Sequence, residues 1–346
     1  MGNNVMVTGG TGLVGSNLLY KLTLNDIHVT ALKRNGSDIN VVKEVFSFYE
    51  TDQEVIENLF SRIHWIEGDL TDYYSILDAL ENIDYVYHSA AYVSFNPKRK
   101  NEVFKINKEG TCNLVNACLE KKIKKFAHIS SIGALGTTVD NLPIDENTSW
   151  NLHKRRSNYS QSKFDAEMEV WRASKEGLPV IIINPGIIIG PGTLDRSSGN
   201  LIYHGKNGYL LYPPGATAFV DVRDVVDILI MLMQRDTTNE RFIISSDNIS
   251  FKTILQWVSN YLNTPQPKYE VPRWVAELAW RMDRIRSVIF KKEPFLTNES
   301  IRASYSKMHF SNQKIKDLLN YKFISVEKSI KDTCNWYKLK NYESFL

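Results

Sequence analysis

Short apolar runs alternate with stretches of helical periodicity through the first two thirds of the chain. The apolar runs are rich in Val, Ile and aromatic residues and predict strands at 5–8, 27–32, 63–67, 85–88, 125–129, 180–184 and 241–245. The stretches between them predict helices at 13–24, in a region reaching 58–61, and at 74–80, 103–121, 160–176 and 222–234. Strands that are apolar throughout and separated by helices are typical of a parallel sheet covered on both faces. We therefore predict a doubly wound α/β fold.

The rest of the chain is less regular and predicts a smaller, mostly helical cap. Residues 190–215 contain many Gly, Pro and Asn residues, which favour loops. A predicted helix at 251–262 is followed by three prolines and then by helical patterns at 274–290, 297–305, 312–319 and 326–339. We expect the sheet domain to comprise 1–185 with 218–262, and the cap to comprise 186–217 with 263–346.

A glycine-rich loop joins the first predicted strand to the first predicted helix. Glycines allow a tight turn and a close approach to a pyrophosphate, and the positive end of the helix dipole attracts phosphates. Because the loop lies between a strand and a helix, it predicts the dinucleotide site of a Rossmann-type domain, with an unliganded turn as the alternative. The candidate cofactor contacts are Gly9, Thr11, Gly12, Leu13, Val14 and Gly15.

The end of the second predicted strand indicates which cofactor is preferred. Sites for NAD(H) usually present an acid there to the ribose 2′-hydroxyl, whereas this chain has Lys33 and Arg34, with Ser37 close by. Cations would attract a 2′-phosphate, so we predict NADP(H) rather than NAD(H). The alternative is that both cations are solvated loop charges. Asp69 ends the third strand and can accept from the adenine amino group or from its own turn.

Composition excludes several classes of partner. The 346 residues have a net charge of +3 and no long Lys/Arg block, which argues against nucleic acid. The three cysteines form no metal-ligand spacing, so no metal is expected, and their odd number suggests a reducing compartment. No signal-peptide pattern and no apolar run of about 18 residues are present. We expect a cytoplasmic protein.

Tyr159 and Lys163 lie four residues apart in a predicted helix, so both project from one face. That spacing is common on solvated helices and acquires meaning only from its context. The context is a set of motifs in a fixed order: TGGTGLVG at 8–15, GDL at 68–70, HSAA at 88–91, NKEGT at 107–111, ISS at 129–131, YSQSK at 159–163, NPG at 184–186 and FVDVRDVV at 219–226. Over nearly its whole length the chain resembles the extended short-chain dehydrogenase/reductases.

The resemblance implies a role for each matching position. Ser131, Tyr159 and Lys163 match the catalytic serine, the acid/base tyrosine and its lysine. Asn107 matches an asparagine that is chiefly structural in the family. The implied cofactor contacts, besides Tyr159 and Lys163, are Asp69, Leu70, Ala90, Ala91, Pro185 and Gly186. A homodimer through the helices at 103–121 and 160–176 is also implied.

The chemistry of these side chains agrees with the implied roles. A free tyrosine has a pKa of about 10, and a neighbouring ammonium group lowers it towards the neutral range. We expect Lys163 to supply that charge and Ser131 to hold the substrate oxygen as negative charge develops. The cofactor transfers the hydride, and Tyr159 donates the proton during reduction of a carbonyl.

Differences between this sequence and other branches of the family reduce the number of functions that the resemblance implies. Ile132 and Gly133 replace the acid pair of sugar-nucleotide dehydratases, and Thr217 and Asp221 replace an arginine and a histidine of the epimerases. The remaining resemblance is to the dihydroflavonol-reductase and 3β-hydroxysteroid-dehydrogenase-like branch. It implies an NADP(H)-dependent oxidoreductase that interconverts a ketone and a secondary alcohol on a fairly apolar small molecule. An NAD-dependent sugar-nucleotide epimerase and a non-catalytic NADP(H)-binding module are the alternatives.

Several residues have less certain assignments. Ser94, Phe95 and Asn184 are candidate substrate contacts because they follow or end strands at the expected rim of the site. His88 and His128 are interpreted as core histidines, and 154–156 as a solvated basic loop. The helix at 274–290 places five apolar residues on one face, Trp274, Leu278, Met282, Ile285 and Ile289. We expect this stripe to pack in the cap. A wall over the substrate and contact with a membrane surface are the alternatives; the arginines around it are not cleanly segregated to one face.

Overall fold

The computed structural model describes residues 4–25, 27–138, 142–151, 156–193, 199–290, 294 and 296–340. The strands are β1 (Asn4–Thr8), β2 (His28–Lys33), β3 (Ile63–Glu67), β4 (Tyr85–His88), β5 (Lys125–Ile129), β6 (Val180–Pro185), β7 (Ile187–Ile189), β8 (Leu211–Tyr212), β9 (Ala216–Asp221), β10 (Glu240–Ile244), β11 (Asp247–Ser250) and β12 (Tyr269–Glu270). The helices are α1 (Leu13–Leu24), α2 (Asn40–Phe46), α3 (Gln53–Ser61), α4 (Tyr73–Ala79), α5 (Lys100–Phe104), α6 (Gly110–Glu120), α7 (Asn158–Lys175), α8 (Gly199–Gly205), α9 (Val222–Gln234), α10 (Phe251–Leu262), α11 (Arg273–Ile289), α12 (Asn298–Tyr305), α13 (Gln313–Leu319) and α14 (Val326–Lys340).

Seven of these strands form one parallel sheet, and the predicted doubly wound fold is confirmed. The order is β10-β6-β5-β4-β1-β2-β3, with Val5 of β1 opposite Val29 on one side and Tyr85 on the other. The order reverses at β1 and β4, so the connections leave in opposite directions and a crevice opens beyond the carboxyl ends of these strands. Ligands of such sheets bind in that crevice.

Both faces of this sheet are buried, which explains why its strands are apolar throughout. Alternate residues of β1 face opposite sides: Val5 and Val7 pack with α1 and α9, whereas Met6 packs with α4 and α6. Burial of each such side chain stabilises the fold by about 1.5–3 kcal/mol. The helices that follow each strand are thereby fixed, and their N-termini lie at the edge where the site forms.

The cap has its own core, and its extent differs from the prediction. A three-stranded sheet, β11-β9-β7, and a two-stranded sheet, β12-β8, lie here, and β8 and α8 occupy a stretch predicted as loops. The helix α10, assigned by its sequence to the sheet domain, packs instead against α14 through Ile254, Val258 and Ile330. Conversely, Ile315 of α13 is buried in the core of the sheet domain. The core that each of these helices joins therefore depends on contacts distant in sequence, and the division of the chain into two domains stays a prediction.

The predicted helix at 103–121 is interrupted by a π-helical turn at Lys105–Glu109. A π turn closes one residue later than an α turn, which widens the helix locally. The turn contains Asn107, whose side chain is buried. It separates α5 from α6 and sets the direction of the asparagine, as described below.

The apolar stripe of α11 does not pack in the cap, contrary to expectation. Its five residues are each between 50% and 71% exposed. No helix in the described part of the chain is long and apolar enough to cross a membrane.

Candidate active site

The glycine loop packs so closely against neighbouring backbone that no side chain fits at Gly9 or Gly15. Gly9 has a φ of +71°, and a Cβ there would lie 2.6 Å from the backbone nitrogen of Ala90. A Cβ on Gly15 would lie 2.1 Å from the Gly9 carbonyl oxygen. The Gly12 N–H donates to that same carbonyl at 2.9 Å and closes the turn. These contacts explain why glycine occupies both positions.

The start of α1 fits the pyrophosphate of a dinucleotide. Gly12 is the N-cap and no side chain caps this end of the helix. Uncapped N–H groups combine with the positive end of the helix dipole to form an anion site. Among the described residues, a Cβ on Gly12 would meet only the Gly9 carbonyl oxygen, at 3.2 Å, so the turn is open on its outer side. Thr11, Leu13 and Val14 complete the predicted cradle.

The segment after β4 passes directly over this loop. The Ser89 hydroxyl donates to the Thr8 carbonyl at 2.7 Å, and the Ala90 N–H donates to the Thr8 hydroxyl at 3.3 Å. Ala90 and Ala91 therefore lie beside the glycine loop, where the resemblance places the cofactor ribose.

Asp69 is engaged by its own turn. Its Oδ1 accepts from the N–H of Thr71 at 2.8 Å and from the hydroxyl of Thr71 at 2.9 Å. The side chain of Leu70 is buried beneath Gly110, whose Cβ would come within 2.9 Å of the Leu70 Cβ. Hydrogen bonds within the turn therefore occupy Oδ1 of Asp69, as the alternative interpretation expected. Contact of Asp69 or Leu70 with adenine stays a prediction.

The end of β2 presents one cation more openly than the other. The Lys33 Nζ lies 3.7 Å from a carboxylate oxygen of Glu67 on the neighbouring strand. Arg34 is exposed in the turn that follows, which the Ser37 N–H closes by donating to the Arg34 carbonyl at 3.1 Å. Asp38 is occupied by accepting from the Asn40 N–H at 2.9 Å. Arg34 is accordingly the better placed of the two for a phosphate.

The helix α7 begins just before Tyr159. Ser157 is its N-cap and accepts from the Ser160 N–H at 2.9 Å. Tyr159 is partly buried at the surface of the crevice, whereas Lys163, one turn later, is 2% exposed. The Lys163 Nζ donates to the Ile129 carbonyl at 2.8 Å, which ties α7 to the end of β5.

The electrostatics of this pair differ from the expectation that Lys163 lowers the pKa of Tyr159. Burial raises the pKa of Tyr159, and the opposing influence is a hydrogen bond from Ser131. Burial lowers the pKa of Lys163 to about 8, and the nearby Glu167 carboxylate opposes that shift. The hydrogen bond from Ser131 is therefore the contact that favours the phenolate here, and a contribution of the Lys163 charge stays a prediction.

Ser131 lies where β5 ends, in contact with Tyr159. It caps the short 3₁₀ turn Ile132–Ala134, and its Oγ accepts from the Gly133 N–H at 3.0 Å. That backbone bond fixes the direction of the hydroxyl. The structure thus brings Ser131, Tyr159 and Lys163 together at the carboxyl end of β5.

Asn184 is not at the substrate surface, contrary to expectation. It is fully buried on β6, where its amide donates to the Ser131 carbonyl at 3.0 Å and to the Glu167 carboxylate at 2.9 Å. It supports the serine from beneath. Pro185 and Gly186 follow it and are buried too, with the Gly186 position pressed against the Ala218 carbonyl. Their contact with nicotinamide stays a prediction.

Glu167 is the residue that sequence reasoning missed. Its carboxylate is buried and accepts from the Ser130 hydroxyl at 2.8 Å, the Asn184 amide at 2.9 Å and the Arg241 guanidinium at 3.0 Å. It lies one turn beyond Lys163 on the same face of α7. The four-residue steps from Tyr159 to Lys163 to Glu167 were the available signal.

Asn107 holds the opposite wall of the crevice. Its Oδ1 accepts from the Tyr92 N–H at 2.7 Å, and its amide donates to the Tyr92 carbonyl at 3.0 Å and the Ser162 hydroxyl at 2.9 Å. The loop after β4 is thereby fixed to α7. Within that loop the ring of Phe95 meets the ring of Tyr159 edge-on, with centroids 5.6 Å apart, and Ser94 accepts from the Asn96 N–H at 3.2 Å.

His88 and His128 lie in the core behind the site. Each is 1% exposed, and their rings are 5.3 Å apart. The ring nitrogens of His88 bond the hydroxyls of Thr8 and Thr111 at 2.7 and 2.9 Å, and burial lowers its pKa to about 3. Burial also lowers the pKa of His128. Two uncharged rings at this depth fit the interpretation as core residues.

The structure bears on three further observations from the sequence. Asp221, where epimerases have histidine, is buried, caps α9 and pairs with Arg223 at 2.6 Å. Within the described ranges no cluster of His, Cys, Asp and Glu could hold a metal. Of the basic stretch at 154–156, residues 154 and 155 lie outside the described residues.

Comparison with protein-family models gives one match. The model described as the NAD dependent epimerase/dehydratase family matches residues 5–245. That range includes the glycine loop, Ser131 and the Tyr159–Lys163 pair.

Three curated proteins resemble the chain over most of its length. It is 28% identical over 339 residues to sterol demethylase protein B of Methylococcus capsulatus, covering 96% of this chain and 98% of that protein. It is 25% identical over 343 residues to cinnamoyl-CoA reductase 1 of Petunia hybrida, covering 96% and 91%. It is 24% identical over 349 residues to dihydroflavonol 4-reductase of Arabidopsis thaliana, covering 95% and 82%.

Two solved structures share the fold. The structure of gox2253 superposes with a TM-score of 0.80 at 27% identity and covers 98% of this chain and 99% of that one. The UDP-glucose 4-epimerase of Thermotoga maritima superposes with a TM-score of 0.76 at 20% identity and covers 97% and 99%. The second similarity concerns the fold alone.

Replacing Glu167 with Gln should destabilise the protein by about 3 kcal/mol, because Arg241 would lose its buried anionic partner. Glu169→Gln is the matched control on the same helix, since Glu169 pairs with the partly exposed Arg172 near the surface. Urea unfolding of both variants measures the difference. Equal stability of E167Q and E169Q would show that the buried pair does not hold α7 in place.

Proposed function

The chain belongs to the NAD-dependent epimerase/dehydratase family, and within that family we propose that it is an NADP(H)-dependent oxidoreductase. It interconverts a ketone and a secondary alcohol on a fairly apolar small molecule. The observation that supports this most directly is the convergence of Ser131, Tyr159 and Lys163 beside the glycine loop. An intact set of these groups also argues against a module that only binds the cofactor.

Each residue of the site has its own part in the proposed reaction. When bound, NADP(H) supplies or accepts the hydride. The Ser131 hydroxyl, held by the Gly133 N–H, binds the carbonyl oxygen. Tyr159 donates its proton to that oxygen during reduction and regains one from solvent. The cationic Lys163 stabilises the phenolate that is left. The aromatic ring of Phe95 forms an apolar wall beside the tyrosine.

The choice of reaction rests on the relatives and on two substituted positions. Two of the similar proteins are named as reductases of cinnamoyl-CoA and dihydroflavonol, and a third as a sterol demethylase protein. Those names support a fairly apolar substrate. Asp221 serves as a helix cap and Thr217 is buried, so neither is available to bind a sugar diphosphate. The preference for NADP(H) rests on Arg34, and the homodimer implied by the family stays a prediction.

The proposal is tested by NADPH oxidation with aliphatic, aromatic and steroid ketones, with UDP-sugars as a contrasting panel. We expect turnover of ketones, and a decrease of kcat by at least about 100-fold in Tyr159→Phe with NADPH affinity unchanged. Tyr85→Phe is the matched control, because Tyr85 begins β4 and therefore lies at the opposite edge of the sheet from Tyr159. Turnover of UDP-sugars without net cofactor consumption would favour the epimerase. NADPH binding without oxidation across both panels would favour the non-catalytic module.

Arg34→Gln should lower kcat/KM for NADPH by about 10- to 100-fold, because a charge-assisted hydrogen bond to the 2′-phosphate would be lost. The kcat/KM for NADH should change by less than about twofold. Lys43→Gln provides a control, since Lys43 pairs with Glu57 away from the glycine loop. Equal losses with both cofactors would contradict the assignment of Arg34.

The rate of reduction should fall as the pH rises through about 8. Lys163 is cationic below its pKa of about 8 and neutral above it, whereas the raised pKa of Tyr159 keeps the phenol protonated in this range. Lys163→Arg retains its charge at high pH, so this variant should lose the decline near pH 8 even if its rate is lower. A pH profile with the same decline in K163R would assign it to another group.

A further inference from the structure

The apolar stripe of α11 is a feature that the proposed reaction does not use. The exposed fractions are 71% for Trp274, 50% for Leu278, 62% for Met282, 60% for Ile285 and 67% for Ile289. Single exposed apolar residues are ordinary, but a continuous row of five large ones on a helix marks a surface that binds something.

The stripe faces away from the rest of the protein. At 100° per residue, Ala276, Asp283 and Ser287 project from the opposite side of α11. Ala276 and Ser287 are buried, and Asp283 accepts from the Leu296 N–H at 2.8 Å. The side of the helix that faces the protein thus contains small and polar residues together with the partly buried Trp280, whereas the five large apolar residues of the stripe face outward. This is the reverse of a helix that packs on a core.

The charge beside the stripe is net positive. Arg281 and Arg284 lie along one edge with Glu277 between them, and Arg286, on the other edge, pairs with Asp283 at 2.7 Å. The helix contains four arginines against two acids, an excess of two positive charges. Arg281 lies 3.9 Å from Glu277, a surface contact that contributes little in water. The exposed face is thus apolar along its centre and carries an excess of positive charge beside it.

The strands that precede α11 extend this character. Tyr269 on β12 is 61% exposed, and Leu210 and Leu211, in and beside its partner strand β8, are 60% and 48% exposed. Within the described ranges, the cap therefore concentrates large exposed apolar side chains around the start of α11.

We propose that α11 binds the surface of a membrane containing anionic lipids. The apolar stripe would enter the boundary between headgroups and acyl chains, with the helix axis parallel to the surface, while the arginines pair with lipid phosphates. The occupant is a membrane rather than a second copy of the chain, because the helix has an excess of two positive charges. An anionic surface would neutralise that charge, whereas a symmetric contact between copies would double it. The proposal replaces the expectation that the stripe packs in the cap.

The test is flotation of the full-length protein with vesicles of phosphatidylcholine alone or with about 30% phosphatidylserine. We expect binding to the anionic vesicles that weakens at high salt. The variant L278Q/M282Q/I285Q should bind at least about tenfold more weakly. The variant R281Q/R284Q should bind about 25-fold more weakly, or about fivefold for each arginine.

Matched controls separate the stripe from general effects. L24Q/Y74Q/L339Q removes three exposed apolar residues elsewhere on the surface, and K322Q/K331Q removes two exposed cations; both should float like the wild type. Thermal melting confirms that each variant is folded. Unchanged flotation of the stripe variant would overturn the proposal. So would a wild-type protein that does not float and is a dimer by sedimentation, with the stripe variant a monomer.

Discussion

A single buried carboxylate, that of Glu167, joins α7 to the ends of three strands. Removing a charge from water is costly unless every lone pair finds a donor. Here donors come from Ser130 after β5, Asn184 on β6 and Arg241 on β10. Each of these partners can satisfy the carboxylate only if α7 lies at one height along the sheet. The same constraint places Lys163 against the Ile129 carbonyl and Tyr159 against Ser131. The positions of Ser131, Tyr159 and Lys163 thus depend on a carboxylate that is buried behind them.

The cofactor side of the crevice depends on close backbone contact. Gly9 lies against the backbone of Ala90, and Gly15 against the Gly9 carbonyl, at distances that a Cβ would violate. Neither loop can shift without the other. Because Asn107 also ties the loop after β4 to α7, the cofactor cradle and the catalytic helix belong to one rigid unit. The glycine loop and the helix that holds Tyr159 and Lys163 are therefore aligned by the same backbone.

The sequence predicted the central sheet almost to the residue, because buried parallel strands leave an apolar signal that is local. The prediction of the doubly wound fold and of the family is confirmed. The cap was predicted less well. Strands such as β8 and β12 contain two residues each and exist only through their pairing, which no local pattern reveals.

The packing of helix α10 could not be predicted for the same reason, since its partner α14 lies about 70 residues further along the chain. At the site, the motifs identified the positions of Ser131, Tyr159 and Lys163 but could not give the direction of Asn184. A side chain at the end of a buried strand can face the crevice or the sheet, and only the position of Glu167 decides between them. The exposure of the α11 stripe could likewise not be predicted, because periodicity identifies an apolar face without stating what covers it.

The π turn at Lys105–Glu109 makes the direction of Asn107 depend on the length of the chain at this point. It holds one residue more than a regular turn, and that residue rotates Asn107 towards Tyr92 without altering the helix at either end. Deletion of one codon here would restore an uninterrupted helix with the turns on either side unchanged, and would turn Asn107 away from Tyr92.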